Sequence, residues 1–68
     1  MDDVHRRLIA NIKARAKRRR LSANKLADFA DVGRGYLSDV LAGHKSPTVR
    51  TLVKLATALE VDIRELFE

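Results

Sequence analysis

The stretch Ser22-Ala23-Asn24-Lys25-Leu26-Ala27-Asp28-Phe29-Ala30-Asp31-Val32-Gly33-Arg34-Gly35-Tyr36-Leu37-Ser38-Asp39-Val40-Leu41-Ala42-Gly43 decides how this chain folds. Ser22 suits the N-cap of a helix over residues 23–30, because its hydroxyl can accept an otherwise unpaired first-turn N–H. Leu26, Ala27 and Phe29 or Ala30 recur at helical spacing and turn inward. Asp31 then stands where the chain must turn with a positive φ, which Asp tolerates better than most non-glycine residues but less well than Gly. Gly33 can cap a further helix over 34–41, anchored by Leu37, Val40 and Leu41. The small Ala27 allows the two helices to cross closely at a steep angle. Arg34, Gly35, Ser38 and Asp39 are left on the face opposite the apolar residues.

Upstream, Val4, Leu8, Ile12 and Ala16, flanked by Ile9 and Ala10, mark the inner face of a first helix. It is expected to start after Asp2 or Asp3 and to end near Arg20, with carboxylates at its N-terminus and Lys17–Arg20 at its C-terminus. Downstream, Gly43-His44-Lys45-Ser46-Pro47 is a loop in which Gly43 serves as a left-handed helix stop. A fourth helix runs from Thr48 or Val49 to Leu59, with Leu52, Val53, Ala56 and Leu59 as its inner stripe. Asp62 and Glu65 have capping-box spacing for a last short helix through Leu66 and Phe67. No segment alternates with period two for long enough to form a strand. The reading is all-α, with five short helices, no repeats and no disordered linker.

Sixty-eight residues form one domain at most, over 1–68, with a single thin core and no room for a deep pocket. Cysteine is absent, so a disulfide or thiolate metal site is impossible. His5 and His44 are far apart and have no ligand-like neighbours, so no metal or other cofactor is expected. No apolar run reaches the roughly 18–20 residues of a membrane span, and nothing resembles a signal peptide, so the expected location is the cytoplasm. The net charge is +5, from fourteen Lys and Arg against nine Asp and Glu. The excess is uneven: twelve of the cations but five of the acids lie in residues 1–50, leaving two cations and four acids in 51–68. A basic body with an acidic end suits a polyanionic partner on one face.

Residues 8–67 resemble the phage repressor and Cro-type helix-turn-helix family, also called the Xre family. The landmarks are Ile12, Leu21-Ser22, Leu26-Ala27, Val32, Leu37, Gly43, Pro47, Leu52, Leu55-Ala56, Leu59-Glu60-Val61 and Leu66. The resemblance implies a compact five-helix, lambda-repressor-like domain that binds double-stranded DNA operators, usually as a homodimer. Three departures stand out. The family often has Gln at the start of the second helix, where this chain has Ala23. Its corner Gly is Asp31 here. Many members pair a basic residue late in the first helix with an acid ending the recognition helix, where this chain has Ala16 and Leu41. An apolar contact is expected to replace that ion pair, a change that can be neutral or stabilising.

In such a domain the start of the third helix enters the major groove and the second lies across the backbone. Arg34 matches a base-contacting position and can donate two hydrogen bonds to guanine O6 and N7. Gly35 either lets the helix backbone approach the duplex closely or belongs to an extended corner running from Gly33. Ser38 can meet either kind of base edge. Asp39 can accept from cytosine N4 or pair with a neighbouring cation. Tyr36 can roof the core edge and still reach a phosphate. Ser22 and Asn24 at one helix start are the other expected phosphate contacts, together with His44, Lys45, Ser46, Thr48 and Arg50 around another. Lys13, Arg15 and Lys17–Arg20 spread around a helix, so most are expected to be solvated, with one or two near the DNA backbone.

The leading function is therefore a sequence-specific regulator of transcription, acting as a repressor on an inverted repeat through a dimer. Val61–Phe67 is a candidate for a weak dimer contact. Phage repressors, restriction–modification controllers and antitoxins share this fold. A protein-interaction module without DNA specificity is the alternative from another class. A membrane-surface role is disfavoured because the first helix has no aromatics on its apolar face. Catalysis has no support, since no nucleophile–base pair or paired carboxylates can be read, and no small-molecule substrate is expected.

Overall fold

In the computed structural model, which describes residues 2–68, the chain forms α1 (Asp3–Arg18), α2 (Ala23–Ala30), α3 (Arg34–Leu41), α4 (Val49–Leu59) and a closing 3-10 segment, Ile63–Phe67. The all-α expectation holds, with four α-helices and a 3-10 segment in place of five short helices. Side-chain caps start three of the helices: Asp2 accepts from the His5 N–H, Ser22 from Lys25 and Thr48 from Thr51. Gly33 caps α3 without a side chain, and Asp62 with Glu65 forms the capping box that opens the 3-10 segment.

All four α-helices end in the same way. A residue with positive φ follows the helix, and the N–H after it reaches back five residues to a carbonyl: Leu21 to Ala16, Val32 to Ala27, His44 to Asp39 and Val61 to Ala56, at 2.8–3.0 Å. This is the Schellman arrangement, which most often uses Gly at the left-handed position. Here only Gly43 does so, at φ 83°, while Arg20, Asp31 and Glu60 sit at 57–58°. α1 thus ends at Arg18, two residues before the expected limit, because Arg20 is already part of the turn.

α2 packs against α3 and α4, and α1 packs against the closing 3-10 segment. Ile12, Leu26, Leu37, Val40, Leu55, Leu59 and Leu66 are the largest enclosed side chains. Two expected core positions, Val53 and Val4, are corrected, and one alternative is decided. Val53 is half exposed and Leu55 is fully buried in its stead. At about 100° per residue, the buried stripe of Leu52, Leu55, Ala56 and Leu59 leaves Val53 roughly 110° from its centre. By the same geometry Ala30 turns inward while Phe29 stays 67% exposed. Val4 is also exposed, and half-buried His5 takes the place in line with Leu8, Ile9 and Ile12. Its Nε2 is buried without a partner.

The acidic end folds back on the basic first helix. Arg15 pairs with Glu65 at 3.1 Å and Arg19 with Glu60 at 2.8 Å. Asn11 Nδ2 donates to the carbonyls of Leu66 and Glu68 at 2.9 and 2.8 Å. The charge asymmetry of the sequence is thus partly neutralised within the fold. Ala16 and Leu41 join the same apolar core and line one cavity beside Ile12 and Leu26. This is the apolar environment expected where many members of the resembled family carry an ion pair. Among the described residues, no helix is long and apolar enough to cross a membrane and no cluster of metal-ligating side chains occurs.

Candidate nucleic-acid interface

The corner between α2 and α3 is built by Asp31 in the left-handed conformation, Val32 packed on the core and Gly33 as cap. Leu26, Ala27, Leu37 and Val40 lock the two helices together from below. Arg34, Gly35 and Ser38 remain exposed on the other side, and Asp39 is half-buried.

Arg34 does not hang free. Its Nε donates to Asp28 Oδ1 at 3.0 Å and its Nη2 to Oδ2 at 2.6 Å, a two-pronged pair across the corner. The hydrogen bond from Arg34, more than the bare charge, holds the Asp28 carboxyl below its ordinary pKa, and Asp28 in turn raises that of Arg34. Both groups are exposed, so the pair contributes little to stability. Its effect is to orient a side chain.

Gly35 lies in the first turn of α3, so the reading of residues 33–35 as an extended corner is corrected. A Cβ built on Gly35 would meet nothing within 4 Å. The protein has space for a side chain there and does not use it.

Tyr36 is half-buried, with its hydroxyl 3.2 Å from Thr51 Oγ1. Thr51 Oγ1 is also 3.0 Å from Thr48 Oγ1, and Thr48 caps α4 by accepting from the Thr51 N–H. The first turn of α3 is thereby tied to the N-terminus of α4. Lys45 sits 3.5 Å from Asp39 and 5.9 Å from the centre of the Tyr36 ring. Asp39 therefore has the neighbouring cation that was one of its two expected roles.

The remaining candidates fall into two groups. Ser22 and Asn24 are exposed at the start of α2, where the Ser22 hydroxyl accepts from the Lys25 N–H at 3.2 Å and keeps its own hydrogen. His44, Ser46, Thr48 and Arg50 are exposed around the loop and the start of α4. Two residues of the interface escape sequence reading, Asp28 and Thr51. Asp28 meets Arg34 six residues away across a corner, a spacing that no single-helix rule covers. Thr51 had a readable signal: it stands three residues after the Thr48 cap, where hydroxyls share a turn.

Two helices joined by a three-residue corner, the second with an exposed first turn tied to the N-terminus of α4, define a helix-turn-helix domain. The chain belongs to the helix-turn-helix family, whose pattern matches residues 12–66. Over 58 residues it is 40% identical to the HTH-type transcriptional regulator SlrR of Bacillus subtilis (strain 168), a match covering 84% of this chain. That match spans 38% of SlrR, so the likeness concerns little more than a third of that regulator. The fold is similar to that of the restriction-modification controller protein C.AhdI from Aeromonas hydrophila, with a TM-score of 0.85 and 30% identity over 90% of this chain and 92% of that one. These likenesses agree with the Xre-type resemblance of the sequence.

Proposed function

We propose that this chain is a sequence-specific, double-stranded-DNA-binding regulator of transcription. One observation carries the reading: α3 presents Arg34 and Gly35 in its first turn, and Ser38 in its second, to solvent on a helix whose opposite face is locked into the core. α3 enters the major groove. Arg34 donates to guanine, with Ser38 and Asp39 reaching the same groove one turn further on. Asp39 also steadies Lys45.

Affinity comes chiefly from phosphates on either side. At one flank, Ser22 and Asn24 contact the backbone together with the free N–H groups that open α2. At the other are Tyr36, His44, Lys45, Ser46, Thr48 and Arg50 at the start of α4, where a helix N-terminus favours an anion. The domain, spanning 1–68, acts as a repressor in the cytoplasm. It has no catalytic role, cofactor or small-molecule substrate. It binds as a two-fold dimer on an inverted repeat, with half-site centres about 10 bp or a multiple apart. Val61 and Ile63 are half-buried on the protein's own core and Leu66 is enclosed, so within Val61–Phe67 Phe67 is the exposed apolar side chain that remains for a dimer contact. The likeness to C.AhdI supports a second reading of the cellular role, control of a restriction–modification system.

Selection of bound duplexes from a randomised library tests the proposal. A regulator enriches one motif with two-fold symmetry. A protein-interaction module enriches none, and that outcome would overturn the reading.

A further inference from the structure

We propose that Asp28 is the residue that sets the specificity of Arg34, by holding its guanidinium so that only guanine satisfies it. This rests on the reading of Arg34 as a base contact. An exposed carboxylate on α2, the helix laid along the DNA backbone, repels phosphate and weakens binding unless it serves another purpose. Asp28 engages the side edge of the guanidinium, through Nε–H and one Nη2–H. Of the five donors, those left over include one hydrogen each on Nη1 and Nη2, pointing away from the carboxylate. That end edge is the pair of parallel donors that guanine O6 and N7 accept.

The constraint acts against wrong bases as well as for the right one. Adenine offers N7 but sets its N6 donor where guanine has O6, and thymine sets its methyl group near the place of N7. A free arginine escapes such a mismatch by swinging to a phosphate. One held by Asp28 cannot, so the mismatch leaves donors unpaired. The same fork fixes a long side chain before DNA arrives, removing part of the ordering entropy that binding would otherwise lose.

Asp28 is therefore expected to lower affinity for DNA at large while raising discrimination. The test uses duplexes enriched by the wild-type chain. The position read by Arg34 is the one whose preference Arg34→Ala erases. Affinities of wild type, Asp28→Ala, Asp28→Asn, Arg34→Ala and the Asp28→Ala/Arg34→Ala double variant are then measured on all four bases at that position and on a random duplex, at one salt concentration. Asp28→Ala should bind the random duplex more tightly, about two- to fivefold from the lost charge. It should discriminate guanine from adenine about five- to tenfold less. Asp28→Asn, with one acceptor, should fall between. In the Arg34→Ala background the Asp28 change should leave the base preference alone.

A purely structural role for Asp28 would lower both affinities together, and unchanged discrimination in both Asp28 variants would overturn the proposal. Increased discrimination would also overturn it, making Asp28 a competitor that masks Arg34. If Arg34→Ala erases no preference at any position, the base-reading role of Arg34 fails, and that of Asp28 fails with it.

Discussion

The Tyr36 hydroxyl lies 3.2 Å from that of Thr51, joining the first turn of α3 to the first turn of α4. With Thr48 3.0 Å further on, three hydroxyls share two hydrogen bonds, so one O–H is left over. Thr51 is buried, and leaving its hydrogen unpaired there is costly. The spare donor therefore falls at an outer end, on Tyr36 or Thr48, facing the side assigned to phosphate. Tyr36→Phe removes one end of the chain. It should lower stability by about 0.5–1.5 kcal/mol and weaken enriched and random duplexes by similar factors. Because no charge is lost, the salt dependence of binding should not change. A selective loss on the enriched duplex would mean that Tyr36 reads a base.

Arg20 and Asp31 hold a left-handed conformation at which Cβ is strained. Glycine removes that strain but has more freedom to lose on folding. The balance should favour glycine by roughly 0.5–1 kcal/mol. Asp31→Gly and Arg20→Gly should each raise the melting temperature, by about 2–6 °C for a domain of this size. The Asp31 carbonyl that accepts from Lys54 survives the change. Glu60→Gly should gain less, because Glu60 also pairs with Arg19. A fall in melting temperature for Asp31→Gly would show that its side chain matters to the corner beyond its φ.

Helix limits and the corner could be read from the chain because they depend on neighbours in sequence. Ser22, Asp31, Gly33, Gly43 and Asp62 each act on N–H or carbonyl groups within five residues, so residue type and spacing suffice. Val53 and Leu55 show where such reading stops. Both are apolar on the same helix, and only the direction of the whole buried stripe separates them. The candidate site divides in the same way. Arg34 and Gly35 are exposed in the first turn of α3, as their spacing implied. The partners that orient the site were missed, because Asp28 and Thr51 reach it from other helices; only Thr51, three residues after the Thr48 cap, had a local signal. Lys45 illustrates an intermediate case: the loop was expected to contribute it, but its position between Asp39 and the Tyr36 ring depends on how that loop folds back.

Asp28 should titrate below the usual carboxylate range because Arg34 hydrogen-bonds its charged form. A lowered pKa in the folded state means that the pair stabilises the fold fully above the ordinary value. That contribution disappears as pH falls through the lower, folded-state value. Following the carboxyl carbon by NMR should show the depressed midpoint in the wild type and its return toward the ordinary value in Arg34→Ala. Both groups are exposed, so 1 M salt should move the wild-type midpoint part of the way back. An unchanged midpoint in Arg34→Ala would show that the fork does not persist in solution.

Gly35 separates stability from binding. In the first turn of a helix, glycine destabilises by about 0.5–1 kcal/mol relative to alanine. The space around it would accept a methyl group without displacing any protein atom within 4 Å. Nothing inside the fold therefore requires glycine, and Gly35→Ala should raise the melting temperature by a few degrees. On the proposed reading, that space belongs to the duplex in the complex. A methyl group on the outward face of α3 would hold the backbone away from the groove floor, beyond the reach of Arg34. The variant should bind enriched duplexes about tenfold more weakly, equivalent to roughly 1.4 kcal/mol. Its affinity for random duplexes, where phosphate contacts dominate, should change less. Higher stability with unimpaired specific binding would place the DNA somewhere other than the first turn of α3.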